Sequence, residues 1–98
     1  MKLCAIQPEY PYTPDRADAA VEYLVDALGR CDESCDLILL PEYSNAPTVF
    51  PKGECIPYAK THTDRLIRAA VDAARRCRAI VAVNYVAEIG GSFRNTTR

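Results

Sequence analysis

The hydrophobic pattern changes period several times along the chain, and each change marks an element. Lys2–Gln7 reads as a short strand, apolar at Leu3, Cys4, Ala5 and Ile6. Pro8, Pro11 and Pro14 interrupt regular structure after it. Thr13-Pro14-Asp15 is a helix start: Thr13 can cap, Pro14 suits the first helical position, and Asp15 favours the positive end of the dipole. Ala17, Val21, Leu24 and Leu28 recur at helical spacing and predict a helix to about Arg30. Asp36–Pro41 is a second strand. Its Leu37-Ile38-Leu39-Leu40 run is continuously apolar, which suits a strand covered on both faces, as in a parallel sheet.

Glu42 to Ala59 carries Pro47, Pro51, Gly53 and Pro57 and reads as a loop, longer than the usual connection. Leu66, Ala69, Ala70, Ala73 and Cys77 then predict a second helix over roughly His62 to Arg78. Ala79–Ile89 is a long third strand, Gly90-Gly91 a turn, and Phe93–Arg98 a fourth extended segment antiparallel to the third, within which the sequence ends. The order β-α-β-α-β, followed by the start of a hairpin strand, predicts an α/β fold with a mainly parallel sheet. Both helices fall on one side of that sheet if the strand order runs in one direction.

Ninety-eight residues make one small domain or part of a larger one, with no second domain. A content of 49% hydrophobic and 26% charged residues is that of a globular chain rather than a disordered one. A net charge of -1 gives no overall attraction to nucleic acid or to an anionic membrane. No apolar run approaches the ~20 residues of a membrane span. Met1–Ala5 is followed by no long apolar region of a secretory signal, so the default compartment is the cytoplasm.

The charge is unevenly placed. Asp15–Asp36 holds seven acids against Arg16 and Arg30, and Lys60–Arg78 holds six bases against Asp64 and Asp72. Arg75, Arg76 and Arg78 could form a phosphate or nucleic-acid patch. The favoured alternative is two adjacent helices with complementary outer faces, because no aromatic residues interleave with the bases.

Cys4, Cys31, Cys35, Cys55 and Cys77 are odd in number, which argues against a disulfide framework. Cys31 and Cys35 are followed by no second pair, and His62 is the single histidine, so no metal site is expected. Cys4 and Cys77 read as small buried hydrophobes. The first strand-to-helix turn, Gln7-Pro8-Glu9-Tyr10-Pro11, has no glycine and offers no phosphate cradle, which disfavours a nucleotide-binding domain.

Sites in open α/β sheets lie beyond the carboxyl ends of the strands. Glu42 stands directly after the second strand. Partial desolvation there would raise its pKa and suit it to general-base work, whereas a plain loop opener would sit in solvent.

Lys2-Leu3-Cys4-Ala5-Ile6-Gln7, Asp36–Glu42 and Phe93-Arg94-Asn95-Thr96 resemble, in order and over essentially the whole chain, the nitrilase superfamily of carbon–nitrogen hydrolases. Asp-Leu-Ile-Leu-Leu-Pro-Glu is the most specific of these motifs. The resemblance implies the N-terminal part of an α-β-β-α sandwich and a catalytic Glu-Lys-Cys set, with Glu42 as general base. In that mechanism the Glu takes the cysteine proton, the thiolate attacks an amide or nitrile carbon, and the Lys stabilises the developing charge as a thioester forms.

Only Glu42 is carried over. The family's Lys and Cys motifs lie downstream of the Arg-Asn-Thr strand, and Lys52 and Lys60 match neither by position. Cys55, in the loop, is the one cysteine that could come near Glu42, without the strand-and-elbow context of the nucleophile. The 98 residues therefore read as a hydrolase portion that is inactive alone. The substrate implied is a small amide or nitrile, with amides favoured, and Tyr43, Tyr58 and Ser44–Ile56 could line its pocket. No cofactor is implied, and the full-length family commonly forms homo-oligomers. A non-catalytic α/β binding or interaction module is the alternative of another class.

Overall fold

The computed structural model describes residues 1–98. Its elements are β1 (Leu3–Ala5), α1 (Ala17–Arg30), β2 (Leu37–Leu39), α2 (Cys55–Cys77), β3 (Ile80–Ala82), β4 (Asn84–Ile89) and β5 (Ser92–Thr97). The fold is mixed α/β. β1, β2 and β3 form a parallel sheet in that order, and β4 and β5 form an antiparallel hairpin.

The sheet register sorts the side chains by face. Cys4, Ile38 and Val81 are level with one another across the three strands. They pack with Leu24 and Leu28 of α1 and with Leu66, Ala70, Ala73 and Cys77 of α2, so both helices cover this face. Leu24, Leu28, Ile38 and Leu66 are completely buried, and they anchor the core through the loss of apolar surface to water. The alternate rows, Leu3–Leu37–Ile80 and Ala5–Leu39–Ala82, point to the other face, which no element of the chain covers. Leu3 and Ile80 are 56% and 70% exposed there. The apolar run in β2 predicts cover on both faces, and within these residues it has cover on one.

Several expected boundaries move. The single strand over 79–89 is two strands that change partner at Val83. β3 pairs with β2, whereas Val83 exchanges both backbone hydrogen bonds with Arg98, at 2.9 Å each, and continues the hairpin. Gly90 and Gly91 both take positive φ, 60° and 81°, as a two-residue hairpin turn requires. α2 begins at Cys55, seven residues before the expected start at His62. Pro57 falls in its first turn, where a missing N–H removes no intrahelical bond, so this proline does not exclude helix. Thr13 makes no side-chain cap; its carbonyl accepts from Arg16 N–H instead, in a 3-10 turn over Pro14–Arg16 that leads into α1.

The helix surfaces are complementary, as the charge distribution predicts. Arg65 of α2 makes a two-pronged ion pair with Glu22 of α1. Arg76 donates to the carbonyls of Leu28 and Cys31 and so closes the carboxyl end of α1. Tyr58 donates to Asp18 at 2.7 Å and stacks on His62, with ring centroids 4.1 Å apart. Arg76 is thus a structural clasp between the two helices.

The cysteines depart from their expected state. Cys4 and Cys35 form a disulfide between β1 and the segment leading into β2, so Cys4 is half-buried and bridged rather than a lone buried hydrophobe. The odd count concealed one bridge and three free thiols, Cys31, Cys55 and Cys77. Cys77 is buried in the core, as expected. No helix is long and apolar enough to cross a membrane.

Candidate functional site

The site is built where β2 ends. Leu40 N–H bonds to the carbonyl of Ala82, which carries the β2–β3 pairing one step further. The chain then turns sharply through Pro41-Glu42-Tyr43-Ser44. Tyr43 sits in left-handed backbone at φ 55°, a conformation that disfavours an L-residue by about 1–2 kcal/mol. Local bonds hold it there. Ser44 hydroxyl donates to Pro41 C=O at 2.6 Å, and Ala46 N–H bonds back to Tyr43 C=O at 2.9 Å.

The hairpin fixes the turn from the other side. The Asn84 side-chain oxygen accepts from Tyr43 N–H at 2.8 Å, and the Asn84 carbonyl accepts from Ser44 N–H at 3.0 Å. Asn45, fully buried, accepts from Val86 N–H and donates to Val86 C=O and to Thr63 hydroxyl, all at 2.9 Å. Thr48 hydroxyl donates to Pro11 C=O at 2.7 Å. Ser44, Asn45 and Thr48 are the buried polar residues of the chain, and no buried side-chain polar atom lacks a partner. A bonded turn of this kind gives Glu42 a defined backbone position.

Glu42 is held by one side-chain contact. Asn95 of β5 donates from Nδ2 to Glu42 Oε1 at 2.7 Å. Asn95 lies opposite Val86 in the hairpin register, and Asn84 lies opposite Thr97, whose hydroxyl accepts from the Asn84 amide at 3.0 Å. Asn84, Val86, Asn95 and Thr97 therefore share the hairpin face that meets the Glu42 turn. Two segments singled out in the sequence, Leu-Pro-Glu and Arg-Asn-Thr, meet at this contact.

Other expectations fail or shift. Glu42 is exposed, so the desolvation foreseen at the strand end is absent within these residues. None of the surface clefts of the chain is lined by Glu42. Tyr43 is 38% exposed beside it. Tyr58 lies in the seam between the two helices, on Phe50 and His62, with burial and the Asp18 contact pushing its phenol pKa up. Cys55 opens α2 and packs on the Ala46–Ala59–Val86 cluster. Lys60 pairs with Glu88 at 3.8 Å and lies over the Phe93 ring. No lysine or cysteine bonds to Glu42 here. No three His, Cys, Asp or Glu side chains are grouped to hold a metal ion.

Asn84 is not singled out by the sequence, and Asn45 enters only within Ser44–Ile56, as pocket lining rather than as a brace of the turn. Each is a short amide in a run without clear periodicity, and its role depends on a partner about forty positions away. Asn95 was visible only as a motif member, with no partner assigned. The chain matches no family model, no curated protein and no solved structure.

Proposed function

We propose that this chain is the N-terminal portion of a carbon–nitrogen hydrolase of nitrilase type, in which Glu42 is the general base. The contact between Asn95 and Glu42 carries the reading. It joins the two motif segments across 53 positions, at the carboxyl end of a parallel strand, where catalytic groups of α/β sheets collect. Asn95 holds one carboxylate oxygen and leaves the other to take a thiol proton, pass it to a leaving amine and then activate water. The lysine and the nucleophilic cysteine of the set are supplied from outside these 98 residues. The substrate proposed is a small amide or nitrile.

The uncovered sheet face supports the finer fold reading. Leu3, Leu37 and Ile80 with Ala5, Leu39 and Ala82 make an apolar surface of the kind a second sheet covers in an α-β-β-α sandwich. Such a second layer would also wall in Glu42, which is open to solvent now.

The test is made on a reading frame that extends past Arg98. It is expected to supply a lysine motif and then a cysteine at a strand-to-helix elbow. Its product should hydrolyse a panel of small amides or nitriles, and Glu42→Gln should remove turnover by more than about a hundredfold while leaving the melting curve in place. Full turnover by that variant would reject Glu42 as the base. The exposure of Glu42 favours, as a second reading, an α/β binding module without catalysis, for which no extension restores hydrolysis.

A further inference from the structure

Three cysteines converge at the carboxyl end of α1. Cys4, Cys31 and Cys35 line one open surface cleft together with Ala27, Arg30, Asp32 and Ser34. Their situations differ. Cys35 is 5% exposed and belongs to the core, while Cys4 is half-buried at the cleft on the edge strand β1. The two Cα atoms are 6.1 Å apart, a span that a disulfide bridges without moving backbone. Cys31 is not bridged. Its thiol donates to Ala27 C=O at 3.4 Å, and burial and the neighbouring Cys77 hold it in the protonated form.

β1 also keeps its place without the bridge. Asp36 N–H and Leu37 N–H bond to Lys2 C=O at 2.9 and 3.3 Å, and Ile6 N–H bonds to Leu39 C=O at 2.9 Å. Lys2 N–H donates to the Asp36 carboxylate at 2.6 Å. Reduction would therefore leave the two sulfurs close together and ready to pair again.

The geometry points to Cys4–Cys35 as a reversible thiol–disulfide exchange site for a small thiol of the glutathione class, with Cys4 the attacked sulfur, Cys35 the buried leaving group and Cys31 a bystander. In the reducing direction an incoming thiolate attacks Sγ of Cys4. The Cys4–Cys35 bond breaks, and its electron pair leaves on Sγ of Cys35, which takes a proton from water. A mixed disulfide stands on Cys4. A second small thiolate attacks the small-thiol sulfur of that mixed disulfide and releases Cys4 as thiolate. Two electrons reduce the bridge, and two small thiols become one small disulfide. Oxidation is the reverse, with the small disulfide as oxidant. Arg30 offers a cation to the carboxylates of the incoming tripeptide. Asp32 also lines the cleft, its carboxylate engaged by the N–H and hydroxyl of Ser34.

The bridge closes a span of 31 positions, so opening it restores chain freedom chiefly to the unfolded state. The inference stands independently of any role for Glu42.

The purified full chain, kept native and free of oxygen, is equilibrated in glutathione buffers from fully reduced to fully oxidised. Thiols are then trapped by alkylation and located by peptide mass spectrometry. Cys4 and Cys35 should pass together from alkylated to bridged within this series, while Cys31, Cys55 and Cys77 stay alkylated throughout. Cys35→Ser should collect one glutathione on Cys4 in the oxidised buffer, and Cys31→Ser should leave the wild-type titration unmoved. The inference is overturned if the bridge never forms in oxidised glutathione, if it survives reduced glutathione alone, or if Cys31 enters a bridge.

Discussion

The side-chain amide of Asn45 pairs with both backbone polar groups of Val86, accepting from its N–H and donating to its C=O at 2.9 Å each. A single side chain thus substitutes for a strand neighbour at the place where β4 would otherwise present bare backbone. Asn45→Ala leaves two buried backbone groups and the Thr63 hydroxyl without this partner. The cost of one buried polar group left unpaired is about 1–3 kcal/mol. Urea unfolding of the variant should show a loss of at least that size, and Asn45→Asp should cost no less, because it buries a carboxylate against the Val86 carbonyl.

Acid should loosen the seam between the helices. The Arg65 guanidinium holds the Glu22 carboxyl below its ordinary value of 4.5, chiefly through their hydrogen bond. A depressed folded-state pKa means that the contribution is present above the unfolded value and lost as pH falls through the folded one. The melting temperatures of wild type and Arg65→Ala should differ at neutral pH and converge as pH falls below about 4. The pair is exposed, so the gap should shrink with salt as well.

Alkali should act on the same seam through Tyr58. Burial first, then the hydrogen bond to Asp18, raises its phenol pKa above the ordinary 10. Here the folded state holds the proton more tightly, so the stabilisation is complete below about pH 10 and is lost as pH rises beyond it. Wild type should lose stability between about pH 10 and 12 more steeply than Tyr58→Phe, as read from urea midpoints across that range.

The open sheet face should govern solution behaviour. Leu3, Leu37 and Ile80 present a continuous apolar row, with Ile80 70% exposed. Such a surface drives association in water. Sedimentation of the 98-residue chain should show self-association that weakens in Ile80→Lys. The far-ultraviolet circular dichroism should not change, because Ile80 lies away from the face that the helices cover. A chain that stays monomeric at high micromolar concentration in both forms would refute this.

Periodicity made the helices and the parallel order legible. Leu24, Leu28, Leu66, Ala70 and Ala73 are core because they recur on one helical stripe, and each is buried. Leu37–Leu39 was legible as a strand from its continuous apolar run, although Ile38 alone of the three is buried. Partner exchange left no such trace. Val83 sits inside an unbroken apolar run, and nothing local says that Ala82 pairs with Leu39 while Val83 pairs with Arg98. The start of α2 was obscured by Pro57, which breaks a helix in its interior but not in its first turn. The Cys4–Cys35 bridge was hidden by an odd cysteine count, since pairing depends on distance in space rather than on parity. At the candidate site the position of Glu42 was legible, but not its setting, because Asn84 and Val86 bond its turn at Tyr43 and Asn45 from 41 positions away, and Asn95 bonds Glu42 itself from 53.

The turn around Glu42 has a consequence for the order of events during synthesis. β2 and the turn leave the ribosome well before the backbone of Asn84 and Val86 exists to receive Tyr43, Ser44 and Asn45. Until then the left-handed backbone at Tyr43 has only the local bonds from Ser44 and Ala46 to hold it. Long-range closure of this kind is slow and is completed late. The carboxylate is therefore placed only after α2 and the hairpin have formed. In hydrogen exchange, the amides of Tyr43 and Ser44 should acquire protection in step with those of β4, and later than the amides within α1.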